Sequence, residues 1–66
     1  MIKDEKTYTI LAMERYGGSF VQALANALRC ADMKNTAKIY YTWPEYLKEY
    51  GPGSSFYVAV KKIESE

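Results

Sequence analysis

The chain has 66 residues, with nine Lys+Arg, eight Asp+Glu and a formal net charge of +1, so it can hold one hydrophobic core and is no electrostatic magnet for nucleic acid or a membrane surface. A single cysteine, Cys30, excludes an intramolecular disulfide, and the absence of histidine removes the usual zinc ligand sets and the ordinary general base at neutral pH. One domain over 1–66 is expected, and because so short a chain buries only about 60% of the surface its unfolded form exposes, a covering partner or self-association is expected with it.

A first helix is predicted over 4–16, with Tyr8, Leu11, Ala12 and Tyr16 on one stripe and Asp4 and Glu5 in the first turn, where the helix dipole favours acid. Thr7-Tyr8-Thr9-Ile10 has the β-propensity of a strand. Gly17-Gly18-Ser19 decides for helix, because a glycine suits the left-handed position that ends one helix and a serine suits the cap that begins another. A second helix follows over 19–31, opened by a Ser19/Gln22 capping box, with Phe20, Leu24 and Leu28 buried against Leu11 and Ile39. Its alanines 23, 25, 27 and 31 allow a neighbouring helix to approach closely.

Asp32 or Asn35 can cap a third helix over 35–42, which must end near Trp43 because Pro44 disfavours helical backbone in the residue before it. Pro44 then suits the first position of a short helix over 44–50. After the break Gly51-Pro52-Gly53, the aromatic and β-branched run from Phe56 predicts a β-strand over about 55–63. The expected fold is therefore mainly α, a small helical bundle with one C-terminal strand. A lone strand needs a ladder partner, and the candidates are an N-terminal strand over 1–6, the same strand of a second copy in a homodimer, or a strand of another protein.

No catalytic, cofactor or metal residue is assigned. Glu14, Glu45 and Glu49 are expected on solvated helix faces, Cys30 as a small buried hydrophobe, and Gly17-Gly18 lacks the pattern of a phosphate loop. Gln22, Asn26 and Arg29 share one face of the second helix and could read bases, yet only Lys34 and Lys38 adjoin them to contact phosphate, so nucleic-acid binding is the rival reading. The longest uncharged run, Tyr16 to Leu28, falls short of the roughly 18 apolar residues of a membrane span, and the charged opening residues do not suit a signal peptide. A free thiol fits a reducing cytosol.

Seven tyrosines, two phenylalanines and a tryptophan are more rings than so small a core can enclose. Some of them must face outward. Trp43, Tyr46 and Tyr50, flanked by Tyr41 and Lys38, have the composition of a protein-binding hot spot, and the competing reading places them at the wet edge of the core.

The run Glu14-Arg15-Tyr16-Gly17-Gly18-Ser19-Phe20-Val21-Gln22-Ala23-Leu24-Ala25, then Ala31-Asp32, Asn35, Lys38-Ile39 and Trp43-Pro44-Glu45-Tyr46 with Tyr50, resembles a pattern found in small phage and prophage proteins. The pattern spans Leu11 to Tyr50. Trp43 departs from its more usual phenylalanine, and the segment from Gly51 onward lies outside it. The resemblance implies a phage-encoded protein in the cytoplasm of an infected bacterium, binding and modulating a host protein such as a component of a defence system; it carries no enzymatic activity over.

Overall fold

The computed structural model describes residues 4–65, and they form five helices: α1 (Glu5–Tyr16), α2 (Ser19–Cys30), α3 (Met33–Thr42), α4 (Pro44–Tyr50) and α5 (Ser55–Ser65). The C-terminal strand expected over 55–63 is replaced by α5. No strand occurs among the described residues. The homodimer through that strand therefore loses its basis, as does pairing with an N-terminal strand, since Glu5 and Lys6 are helical and residues 1–3 lie outside the described residues.

The physical reason is local. Ser54 Oγ accepts from the Tyr57 N–H at 3.2 Å and the Ser54 carbonyl accepts from the Val58 N–H at 3.0 Å, which is the geometry of a helix cap. Tyr57 and Val60 are buried three residues apart on one face while Val58 is exposed, and Lys61 and Lys62 sit near the C-terminal end, where the dipole favours cations. Packing at helical period overrides the strand propensity of the run.

α1 is helical despite its β-branched run because Asp4 Oδ1 accepts from both the Thr7 N–H at 2.8 Å and the Thr7 hydroxyl at 2.7 Å, while the buried Thr9 hydroxyl donates back to the Glu5 carbonyl at 2.8 Å. Three successive residues, Tyr8, Thr9 and Ile10, are buried, together with Ala12 and Met13. Such wide burial fits a central helix. α2, α4 and α5 all pack on it, and Tyr16, expected on its inner stripe, is 38% exposed.

The α1–α2 turn differs from the expected one. Gly17 ends α1 with extended backbone (φ −83°, ψ 157°), not left-handed, and the N-cap of α2 is Gly18, with no side-chain cap bond. Ser19 is the first helical residue, so no capping box forms, and the Gln22 amide instead donates to the Gly17 carbonyl at 3.1 Å. α2 buries Val21, Leu24, Ala25 and Leu28, at i, i+3, i+4 and i+7. Phe20, expected among them, is 52% exposed.

Asp32 caps α3, its carboxylate accepting from the Asn35 N–H at 2.8 Å, and Lys6 of α1 donates to the Ala31 carbonyl at 3.2 Å and the Thr36 hydroxyl at 2.9 Å. One ammonium thus ties α1 to the junction of α2 and α3. Trp43 closes α3 and opens α4, with Pro44 at the first helical position. Leu47 and Tyr50 of α4 complete the core with Tyr57 and Val60 of α5, whereas α3 buries no residue and only Ile39 leans on the core from it.

A candidate aromatic interaction surface

Four ring contacts organise the surface. Phe20, at the start of α2, lies edge-on to Trp43 with ring centroids 6.0 Å apart and tilted on Tyr46 at 5.5 Å. Tyr46 stands one helical turn before Tyr50, which stacks on Phe56 at 5.1 Å, and Phe56 stacks in turn on Tyr16 at 4.8 Å. The rings thus form a belt of two trios, Phe20–Trp43–Tyr46 and Tyr16–Phe56–Tyr50, which adjoin on α4 without a ring contact between them. A further ring contact, Tyr8 edge-on to Tyr57 at 5.7 Å, lies in the core.

The backbone explains why the belt stays partly open. The Val21–Leu24–Ala25–Leu28 stripe turns the Phe20 ring about 100° away from the core, and Pro44 turns the chain at Trp43 so that α4 begins beside it. Trp43, Tyr46 and Phe56 are half-buried, Phe20 and Tyr16 are exposed, and Tyr50 is only 6% exposed.

The five residues singled out in the sequence thus separate into three places. Trp43 and Tyr46 share a ring cluster, completed by Phe20, which sequence reasoning had put in the core. Tyr50 is a core residue, and burial, followed by the nearby Glu49 carboxylate, holds its phenol above the ordinary tyrosine range. Tyr41 and Lys38 lie exposed on α3, and no ring contact joins Tyr41 to the cluster. Phe20 was legible from α2 itself: a stripe begun at Val21 keeps the i, i+3, i+4, i+7 pattern, whereas the Phe20–Leu24–Leu28 row drifts around the helix.

The other candidates take quieter places. Glu14 is paired with Arg29 at 2.7 Å, and the Gln22 side chain is bonded to the Gly17 and Glu14 carbonyls, so two of the three proposed base readers are engaged within the chain. Cys30, expected to be buried, is exposed at the end of α2. Among the described residues no group of three or more Cys, Asp or Glu is placed to hold a metal ion, and no helix is long and apolar enough to cross a membrane. A groove of about 280 Å³ between α1 and α5 has Leu11, Val60 and Ile63 on its walls with Glu14, Arg15 and Glu64 beside them.

Compared with protein-family models, curated proteins and solved structures, the chain matches none.

Proposed function

We propose that this protein acts without chemistry of its own, by stoichiometric binding of another protein through the Phe20–Trp43–Tyr46 face. The observation that carries the reading is Phe20: a large apolar side chain held in a ring cluster while half its surface stays in water. Trp, Tyr and Phe fixed this way offer contact area at little entropic cost, which is how interface anchors work. The resemblance to small phage proteins supplies the setting: a host protein in the bacterial cytoplasm, inhibited or modulated by the bound module. The nucleic-acid rival is weakened by the engagement of Gln22 and Arg29 within the chain.

The test is affinity capture from phage-infected lysate with nuclease-treated controls, comparing the native chain with Phe20→Ala and Trp43→Ala variants whose melting temperatures are measured in parallel. Loss of an anchor typically costs about 2 kcal/mol or more of binding, roughly thirtyfold in affinity. A captured protein lost from the Phe20→Ala resin while the variant remains folded supports the reading. Full retention by both variants, or loss only in proportion to unfolding, overturns it, and steep weakening with salt transfers the case to nucleic acid.

A further inference from the structure

From the exposed outer side of the α3–α4 corner, which adjoins Trp43 of the face just described, we propose that the chain forms a two-fold symmetric homodimer in which α3 of each copy lies antiparallel on α4 of the other. The proposal begins with a helix that lacks an interior. α3 buries none of its residues, and its outward row Met33–Ala37–Tyr41 leaves Met33 89% and Tyr41 90% exposed. Full exposure of two large side chains one helical row apart is an unpartnered face, and in a chain with so small a core it is surface that a second copy can cover.

Charge identifies the occupant. Beside the exposed row α3 carries Lys34 and Lys38, one turn apart, and no acidic residue. α4 carries Glu45 and Glu49, also one turn apart and also exposed. None of the four forms a salt bridge among the described residues. Two lysines one turn apart repel each other, as do two glutamates, so each pair is better placed opposite the other than alone.

The pairs are mirrored about the Tyr41–Thr42 peptide: Lys34 and Glu49 stand equally far from it along the chain, and so do Lys38 and Glu45. A two-fold axis at this corner exchanges the two arms, setting Lys34 against Glu49 and Lys38 against Glu45 of the other copy, with both contacts repeated by symmetry. Tyr41 then meets its own counterpart near the axis. A stable interface needs about 500 Å² from each partner, a small share of the 4651 Å² the chain exposes.

The experiment is sedimentation equilibrium from about 1 μM to about 1 mM protein at low and high salt. The expected result is a monomer–dimer equilibrium that weakens with salt. Lys34→Glu/Lys38→Glu and Glu45→Lys/Glu49→Lys, all on exposed positions, should each weaken self-association about tenfold or more. Mixed together, the two variants should form a heterodimer, and the fourfold charge-swapped chain should dimerise again. A native chain that stays monomeric throughout, a dimer indifferent to both charge reversals, or variants that fail to associate on mixing would each overturn the proposal. Phe20→Ala is expected to dimerise normally, so failure here leaves the partner-binding reading standing and failure there leaves this one.

Discussion

At Gly17 a single methyl group decides how α1 meets α2. A Cβ built there would strike the Val21 side chain and come within 2.5 Å of the Met13 carbonyl oxygen, whereas one built at Gly18 meets nothing. Gly17→Ala should therefore cost about 1–3 kcal/mol through forced repacking of the turn. Gly18→Ala should change stability by about 0.5 kcal/mol or less, since its φ of −77° suits any residue. Chemical denaturation of the two variants checks the contrast, and equal losses would refute the steric argument. Buried position matters equally for the rings. Tyr50→Ala should remove about 3–5 kcal/mol, the cost of an aromatic cavity, while Phe20→Ala should spare most of the fold. The two tyrosine and phenylalanine roles look alike in the sequence, because aromatic residues suit core edges and interfaces equally. Only the neighbour each ring finds, Phe56 for Tyr50 and Trp43 for Phe20, separates them.

Among the elements, the helices before Gly51 could be read from punctuation: Asp32 as a cap, the Gly17-Gly18 break and Pro44 after Trp43, whereas Asp4, expected inside the first turn of α1, is its cap. These are short-range effects, settled within a turn of chain. α5 escaped the same reading because Phe56-Tyr57-Val58-Ala59-Val60 is apolar at both strand and helix period, so pattern alone could not decide it. Its cap was nevertheless present in Ser54, followed by lysines placed to favour a helix C-terminus. Removing the cap tests the assignment: Ser54→Ala should lower stability by about 1 kcal/mol and reduce helical circular dichroism at the C-terminal end. Site-specific hydrogen exchange should then show faster exchange at the Tyr57 amide and little change in α2. Unchanged protection at Tyr57 would mean that the serine does not hold the helix. The candidate site was legible in part for the same reason, since Trp43 and Tyr46 follow from Pro44 while Phe20 depends on the rotational register of α2.

Across the whole molecule, two buried phenols couple the fold to alkaline pH. Burial, and after it the carboxylates of Glu49 for Tyr50 and Glu5 for Tyr57, raises both hydroxyls above the ordinary value of about 10. The folded state thus binds these protons more tightly than the unfolded chain. Their contribution is fully present below pH of about 10 and is lost as pH rises through the folded values. Denaturation followed against pH should show a decline beginning above that point, accompanied by tyrosinate absorbance that rises with unfolding. Free ionisation of all seven tyrosines before any loss of structure would contradict the burial of Tyr50 and Tyr57. A further consequence follows from α3, which contributes nothing fully buried to the core yet is pinned at one end by the Asp32 cap and the Lys6 ammonium. Such a helix is held in place without its outer residues being committed to folding, so its sequence is open to selection for other ends. In a saturation scan scored by protein abundance, Lys34, Ala37, Lys38 and Tyr41 should tolerate nearly every substitution, whereas Leu24, Leu28 and Met13 should tolerate few. The same scan scored by self-association should reverse the ranking on α3, setting the residues that meet a second copy apart from those that hold the fold.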